Sequence, residues 1–476
     1  MDARPVPPGR LEPVDAWGGA VRSEGFVHRP GSAEEAAAVL RRVREAGGGV
    51  VLRGAGCSYG DASLHPGGAV LDLTGLGRIL EWDPGSGLAV CEPGVTFGRL
   101  WRHALGDGFW PPVVPGTAAV TVGGALAANI HGKNAFRAGP LGEHVAWFEL
   151  LGPDGAVRRC SPDAEGEVFR AAAGGFGLLG CFTRIALRLR PVASGLLEVR
   201  SRAFGDLASL LAAMRERSRE ADHLVGWVDA FARGASLGRG LLHEARHLGA
   251  GEDPDRARSL RADSHGPPAR VLGILPRGVL WRGLRCFAWE GGMRLLHGAR
   301  WAAGARRRAP RREGLADFHF LLDAVPGWKR AYGPGGLVQF QSFVPAAAAE
   351  SVFAGQIRRS REEGLVPWLS VVKLHRRDGF LLSHGVDGFS LAMDFPVLRG
   401  REDRLRAHLR SLAAEAVAAG GRFYLAKDAV LTPGLFADSL PPGTLAEFRR
   451  LKARLDPEGV LRSAMAERLG LLAAPA

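Results

Sequence analysis

Five lysines remain in a chain that otherwise relies on arginine for its positive charge. Of 62 basic residues, the lysines are Lys133, Lys329, Lys373, Lys427 and Lys452. A lysine desolvated beside other cations has a lowered pKa and can accept a proton, whereas a guanidinium stays protonated. A single lysine can equally be a surface charge, so clustering with other rare residue types is what indicates a reactive site.

Residues 121–134 (TVGGALAANIHGKN) bring several rare types together. The run holds both asparagines of the chain, Asn129 and Asn134, together with His131 and Lys133. It could be a small-residue backbone laid along a flat ligand, with side chains at the reactive end. It could also be a buried Ala/Gly helix with a polar cap. The clustering favours the first interpretation.

Three downstream segments repeat this enrichment. Gln339 and Gln341 are two apart, so they share one face of a strand, and Lys373 follows an apolar run. Tyr424 and Lys427 lie in FYLAKD. Singly, each has a plain explanation: glutamine on a solvated face, lysine as a surface charge, tyrosine in the core. Together they indicate a common cleft.

A glycine-rich turn, residues 53–61 (RGAGCSYGD), follows a short apolar strand. Its glycines would let backbone N–H groups approach an anion such as a pyrophosphate. The third glycine comes one residue too late for GxGxxG, and GFGLLG (175–180) lies between a helix and a strand, so neither is a Rossmann motif. The sequence lacks HExxH, paired CxxC, GxxxxGK[ST] and GxSxG, so no metal site is predicted and hydrolase and NTPase classes are disfavoured.

The elements that must position these residues form an α+β pattern. We expect helices at 32–46, 96–105, 165–173 and 444–455, a hairpin at 148–159, and strands at 50–52, 69–73, 88–91, 183–189 and 422–426. The 476 residues suggest two or three domains. The predicted boundaries are 15–191, 192–420 with an insertion at 251–313, and a C-terminal segment at 421–476.

Residues 256–312 carry nearly all of the net charge of +13, with 14 arginines against Asp263 and Glu290. Tryptophans lie between the arginines, which is typical of a membrane interface. A disordered loop is the alternative, and nucleic acid is disfavoured because no recognition motif accompanies the charge. The spacing of the five cysteines shows no disulfide framework, and the first residues lack an apolar signal-peptide core. We therefore expect a cytoplasmic protein, peripheral at the inner face of a membrane.

The motifs as a set resemble a known family. RGAGCSYGD, PGT (115–117), VTVGGALAANIHGKN and GGFGLLG resemble the FAD-binding domain of the vanillyl-alcohol-oxidase, or PCMH-type, flavoproteins. GWKRAYGPGGLVQFQSFVP (327–345), VVKL (371–374), AMDFP (392–396) and GGRFYLAKD (420–428) resemble the decaprenylphosphoryl-β-D-ribose 2-oxidases. Those enzymes catalyse the FAD-dependent half of an epimerisation that makes the arabinose donor for cell-wall arabinan. The resemblance covers about residues 15–190 and 315–472.

The resemblance implies a two-subdomain FAD domain and a substrate domain whose antiparallel sheet covers the flavin. It implies Lys427 as catalytic base, with Tyr59 and His131 as alternates, and Lys133, Gln339, Gln341 and Lys373 at the substrate. The implied cofactor-binding residues are Arg53, Gly54, Ala55, Gly56, Cys57, Ser58, Tyr59, Gly60, Asp61, Gly116, Thr117, Thr121, Val122, Gly123, Gly124, His131, Gly132, Lys133, Asn134, Phe182 and Tyr424. The implied partners are a lipid-linked sugar phosphate, a membrane surface and an NADH-dependent short-chain reductase.

Two positions depart from the family pattern. Many relatives tether FAD through a histidine where Cys57 stands, so we expect non-covalent FAD and regard a cysteinyl link as disfavoured. Ala392 replaces a cysteine beside the flavin. A soluble alditol or aldono-1,4-lactone oxidase of the same superfamily is the alternative enzyme. A membrane-associated binding protein on a degenerate flavin fold is the non-enzyme alternative, and it predicts no bound FAD.

Overall fold

The computed structural model describes residues 9–266, 270–271, 275–307 and 309–472. Parts of the sequence predictions lie outside these residues: segments of the 251–313 insertion and the end of the C-terminal segment. Among the described residues the fold is α+β, as predicted, and is built around three sheets of four or more strands.

The first sheet positions the glycine-rich turn. Its four strands, in spatial order, are Arg10–Asp15, Arg22–His28, Ala69–Asp72 and Val50–Arg53. The helix Ala33–Glu45 precedes Val50–Arg53 and buries Ala36, Val39 and Leu40. Ser32 caps this helix, since its Oγ accepts from the Glu35 backbone N–H at 3.2 Å. The Glu35 carboxylate accepts from the N–H of Gly31, the residue before this cap.

The second sheet is antiparallel and has five strands. In spatial order they are Ile79–Asp83, Leu88–Cys91, Cys181–Arg188, Val145–Leu151 and Val157–Cys160. The last two form the predicted hairpin. The helices of this region are Phe97–Ala104, Val122–Ala127, Ala135–Ala138 and Gly166–Ala172. The short strands Phe109–Trp110 and Arg190–Pro191 pair with each other beside it.

The third sheet is the predicted antiparallel sheet of the substrate domain. Its eight strands, in spatial order, are Arg311–Gly314, Leu196–Phe204, Gly240–His247, His223–Val228, Leu369–His375, Gly388–Pro396, Leu337–Pro345 and Arg422–Phe423. The helices Leu207–Arg217, Ala349–Glu362 and Glu402–Ala418 pack on it.

Part of the arginine-rich insertion also packs on this sheet. Its described helices are Arg256–Ser259, Leu280–Cys286 and Glu290–Arg306, followed by Leu315–His319, and a small hairpin joins Arg270–Val271 to Leu275–Pro276. The helix Glu290–Arg306 contacts the strands Leu196–Phe204 and Gly240–His247. Trp301 fixes it there by donating from Nε1 to the Phe204 carbonyl at 3.1 Å. These residues are therefore ordered structure and not the disordered loop considered as an alternative.

The C-terminal segment returns to the first sheet, where Val50 bridges Leu461. Its helices are Pro433–Asp438, Thr444–Leu455, as predicted, and Ala464–Arg468. The predicted strand 422–426 is shorter, because a 3-10 turn, Leu425–Lys427, follows Arg422–Phe423. That turn brings the Ala426 carbonyl to the backbone N–H of Tyr59, at 2.8 Å.

Candidate active site

A cavity of about 440 Å³ lies between the glycine-rich turn and the eight-stranded third sheet, hereafter the large sheet. One wall is backbone of residues 54–59, and the opposite wall is the strands Leu337–Pro345, Leu369–His375 and Gly388–Pro396. The predicted site residues that line it are Gly54, Ala55, Gly56, Cys57, Ser58, Tyr59, Gly116, Thr121, Gly124, His131, Lys133, Gln339, Gln341, Lys373, Tyr424 and Lys427. Segments more than 300 residues apart in sequence therefore meet at one site.

The glycines of the turn are required by close backbone approach. A Cβ on Gly54 would come within 2.3 Å of Thr121 Oγ1, and one on Gly60 within 1.6 Å of the Asp428 carbonyl oxygen. Gly56 has φ of +64°, a conformation that costs glycine little. The turn thus exposes its backbone to the cavity without side chains in the way.

Charged residues at both ends hold this turn without lining the cavity. Arg53 donates from Nη1 to Ser63 Oγ at 3.0 Å and from Nη2 to the Asp15 carbonyl at 2.8 Å. Asp61 accepts two hydrogen bonds from Arg468, at 2.9 and 2.7 Å. We therefore place both residues as supports of the turn.

The run 121–134 combines both interpretations offered for it. Its first part is the helix Val122–Ala127, which begins at Thr121, whose Oγ1 accepts from the Gly124 N–H at 3.3 Å. Gly124, Ala127 and Ala128 line the cavity. Gly123 faces away, where a Cβ would meet Pro93 at 2.5 Å. The small residues serve a buried helix whose one side forms a smooth cavity wall.

Several other predicted residues lie behind the cavity wall. Thr117 Oγ1 donates to Asp323 Oδ1 at 2.6 Å, and Asn134 Nδ2 donates to the Pro112 carbonyl at 2.8 Å. Phe182 packs edge-on against Phe148 in the second sheet. The predicted cofactor residues that do not line the cavity are Arg53, Gly60, Asp61, Thr117, Val122, Gly123, Gly132, Asn134 and Phe182.

Three lysines converge on the cavity and differ in what holds them. Burial and the nearby Lys373 lower the pKa of Lys133 to about 7, and its ammonium donates to the backbone carbonyls of Phe318 and His319. Burial lowers the pKa of Lys373 to about 8. The Lys427 ammonium lies 3.8 Å from the centroid of the Tyr59 ring. The Lys133 ammonium likewise lies 4.3 Å from the centroid of the Phe318 ring, but unlike Lys133, Lys427 donates to no backbone carbonyl of a described residue. Burial lowers the pKa of Lys427 below its usual range.

Asp394 is a site residue that the sequence analysis missed. It lines the cavity, accepts a hydrogen bond from Gln339 Nε2, and raises the pKa of Lys427 against the effect of burial. In the sheet Gln339 pairs with Asp394 and Gln341 with Ala392, so all four share one face. The i, i+2 spacing of Ala392 and Asp394 in AMDFP was the signal that could have found it.

Histidines surround the other predicted base. The rings of His375 and His384 lie 4.9 and 5.2 Å from that of His131, and Tyr424 lies 5.2 Å from it. Burial lowers the pKa of His131 well below its usual value, with Lys373 and both neighbouring histidines adding to the effect. His131 is therefore a neutral imidazole, and its Nε2 lies 3.2 Å from the Gln341 amide nitrogen.

The cavity residues fit a flavin nucleotide. Four buried polar atoms of cavity-lining residues have no hydrogen-bond partner among the described residues: His131 Nδ1, His319 Nε2, Gln339 Oε1 and Asp394 Oδ2. Buried polar groups are almost always paired in folded proteins, so these atoms are available to a bound ligand. The backbone at Gly54 and Gly56 in the turn suits a pyrophosphate, and the apolar side of the helix Val122–Ala127 suits a flat ring system.

Comparisons with known proteins decide the family. Residues 25–161 match the model of an FAD binding domain. Over 91% of its length the chain is 33% identical to the decaprenylphosphoryl-β-D-ribose oxidase of Mycolicibacterium smegmatis, covering 92% of that protein. The chain belongs to the PCMH-type FAD-linked oxidoreductases. This flavoenzyme is also 36% identical over 79% of its length to the whole of an uncharacterised Streptomyces coelicolor protein.

A more distant relative shares only part of the flavoenzyme. The D-lactate dehydrogenase of Archaeoglobus fulgidus is 27% identical over 36% of this chain and 40% of its own length. Together these relatives make the protein an FAD-dependent oxidoreductase that acts on CH–OH groups. Bound FAD supplies the acceptor for the hydride that leaves the carbinol carbon.

The remaining chemistry belongs to the side chains, which must take the hydroxyl proton. Burial raises the pKa of Tyr59 well above its ordinary value, so its phenol stays protonated. The Nε2 atom of His131 already lies within hydrogen-bond distance of the Gln341 amide nitrogen. Lys427 has a lowered pKa and a position at the cavity, so the geometry favours it as the proton acceptor.

Proposed function

We propose that this enzyme oxidises the 2-hydroxyl of a ribose carried on a polyprenyl phosphate, as the oxidative half of an epimerisation to an arabinose donor. The match to the mycobacterial oxidase supports this, because it extends over 91% of the chain and so includes the large sheet as well as the FAD domain. The observation that carries the proposal is the cationic cavity. Lys133, Lys373 and Lys427 all line it, and none is in an ion pair with a described carboxylate.

This charge distribution suits an anionic sugar better than a neutral polyol. Keeping the ammonium groups of Lys133 and Lys373 out of water is costly unless an anion compensates for it. A phosphate ester supplies that anion, and Gln339 and Gln341 supply amide groups of the kind that bind sugar hydroxyls. Lys427 accepts the proton of the hydroxyl under oxidation, since burial keeps its pKa low.

The test is anaerobic mixing of the FAD-loaded enzyme with a prenylphosphoryl ribose, followed by the flavin absorbance. Loss of the oxidised-flavin band is the expected result. Reduction only by free alditols or aldonolactones would overturn the lipid-linked substrate and favour the soluble oxidase. Failure to retain FAD after reconstitution would contradict both oxidase hypotheses. The NADH-dependent reductase that would complete the epimerisation stays a prediction, and an added reductase consuming the keto sugar tests it.

We also propose that the insertion rests on an anionic membrane surface. Phe287, Trp289 and Leu295 are exposed by 38%, 63% and 66% on the described helices of the insertion. Arg285 and Arg294 flank them in the sequence, and basic residues beside exposed aromatic side chains bind anionic lipid headgroups. None of the helices among the described residues is both long and apolar enough to cross a bilayer.

Sedimentation with vesicles containing phosphatidylglycerol tests this surface. Replacing Trp289 and Leu295 together by serine should reduce the bound fraction several-fold. The matched control is Leu11→Ser, which removes a side chain exposed by 55% on a strand of the first sheet. Equal binding of the two variants would contradict the proposed surface.

A further inference from the structure

A second group of cations lines the cavity where strands of the large sheet meet the insertion. Trp227 and His243 come from neighbouring strands, and Arg300 comes from the helix Glu290–Arg306. The Arg300 guanidinium lies 4.7 Å from the centroid of the Trp227 ring. Arg300 is exposed and also lines the cavity, so it stands where the cavity opens. The chemistry derived above uses none of these three side chains.

The helix that carries Arg300 is fixed to the sheet. His297, one turn earlier, has its Nδ1 3.2 Å from Asp229 Oδ1 and its Nε2 3.0 Å from the Trp368 carbonyl oxygen. Trp301, the next residue, donates to Phe204. These contacts hold the helix on both sides of Arg300, so its guanidinium is presented to the cavity from a rigid element.

His243 is hydrogen-bonded to the sheet through one ring nitrogen. Ser201 Oγ accepts from Arg311 Nη1 at 3.1 Å and lies 2.8 Å from His243 Nδ1, to which its hydroxyl can donate. A neutral imidazole that accepts at Nδ1 carries its proton on Nε2. No described residue hydrogen-bonds to His243 Nε2, so this N–H is available to a ligand.

Arg300 and His243 lie in positively charged surroundings. Burial, with the charges of Arg300, Arg311, Lys133 and Arg307 adding to it, lowers the pKa of His243 to about 4. Glu313 is the carboxylate that raises the pKa of Lys133, and it is already in an ion pair with Arg311 at 2.8 Å. Arg300 itself makes no hydrogen bond or ion pair with a described residue.

We propose that Arg300 and His243, with Lys133 behind them, bind the phosphate ester of the substrate at the opening of the cavity. This inference rests on the proposed function and adds Arg300 and His243 to the cavity lysines as the groups that hold the phosphate where the cavity opens. The guanidinium offers two parallel N–H donors to phosphate oxygens and the imidazole offers a third donor. The sugar then lies deeper, toward Gln341 and Lys427, and the prenyl chain leaves past the exposed Leu321.

The experiment compares Arg300→Gln with Arg294→Gln in the FAD-loaded enzyme. Arg294 is exposed on the same helix and does not line the cavity, so it is the matched control. Binding of a prenyl monophosphate, which cannot be oxidised, is followed by its perturbation of the flavin spectrum. We expect Arg300→Gln to weaken binding about 10- to 100-fold, the effect of losing a charged hydrogen-bond donor, and Arg294→Gln to leave it unchanged.

A second measurement separates this inference from the proposed function. With a prenylphosphoryl ribose, Arg300→Gln should raise KM and leave kcat nearly unchanged, while methyl β-D-riboside should not distinguish the variants. Arg300→Lys should recover part of the affinity, because it keeps the charge and loses the fork. If no phosphorylated sugar is oxidised but prenyl monophosphate binding still depends on Arg300, the proposed substrate is wrong and the anion subsite stands. Equal binding by both glutamine variants would overturn the subsite.

Discussion

Replacing Lys427 should separate proton transfer from cofactor binding. Its ammonium lies over the Tyr59 ring and makes no ion pair with a described residue, so the side chain can be shortened without leaving a buried counter-charge in contact. Loss of a positioned general base slows a reaction by roughly 10²- to 10⁴-fold. Lys427→Met and Lys427→Arg should both fall in this range, since the arginine keeps the charge but cannot give up its proton. Both variants should keep their FAD.

The pH profile gives a sharper test, because two neighbours act on Lys427 with opposite sign. Burial lowers its pKa most, the Asp394 carboxylate raises it, and the Lys373 ammonium lowers it. The base must be neutral, so activity is lost as the pH falls through this pKa. Asp394→Asn should therefore move the acid limb of kcat/KM to lower pH, and Lys373→Met should move it to higher pH.

The size of these shifts follows from Coulomb's law. Two unit charges about 4 Å apart at an effective dielectric constant of about 20 interact by about 4 kcal/mol. Since one pKa unit is about 1.4 kcal/mol, each removed charge should move the limb by less than about three pH units. Stopped-flow flavin reduction across a pH series measures the limb directly. Limbs that stay in place, or that move in the same direction in both variants, would refute Lys427 as the base.

Three other expectations follow from buried groups. Lys452→Met should lower the free energy of unfolding by about 3–5 kcal/mol, because it leaves Asp456 buried without its partner; a urea midpoint equal to that of the wild type would contradict this. Burial lowers the pKa of His384 to about 3 and that of His375 well below its usual value. Because the unfolded chain binds these protons and the folded protein does not, the free energy of unfolding should be greatest above about pH 6.5. Below that pH it should fall by up to about 1.4 kcal/mol per pH unit for each histidine. His384→Gln should reduce that slope, and an unchanged slope would show that the histidine contributes nothing. Burial raises the pKa of Cys57 to about 11, which leaves no thiolate at neutral pH, so acid precipitation should release all FAD and colour in the pellet would contradict non-covalent binding.

The sequence was most informative where local geometry restricts residue type. The turn 53–61 needs glycine because Thr121 and Asp428 approach its backbone, and such positions are visible as spacing in the chain. The strand alternation of Gln339 and Gln341 likewise placed both amides on the cavity face. Asp394 was missed because its importance comes from the neighbouring strand, and strand pairing is not local in the sequence.

Rarity of a residue type was a weaker guide. Asn129 is rare and lies beside the site, yet its φ of +43° and its hydrogen bond to the Gly142 N–H give it a structural reason to be asparagine. Arg300 could not be found by rarity, because it is one of 14 arginines in its segment and nothing in the sequence distinguishes it. Only the packing of its helix on the sheet brings it to the cavity.

The surviving lysines therefore have two physical causes. Lys452 is buried and its ammonium donates to the carbonyls of Leu178 and Leu461 as well as to Asp456. Three acceptors converging on one point suit a compact ammonium, whereas a planar guanidinium would need more room and a different geometry. Lys427 and Lys373 make no such contacts with described residues, and what favours lysine at their cavity positions is a pKa that burial can lower. Lys452 thus supports the fold, whereas Lys427 and Lys373 lie where their amino groups can serve the reaction.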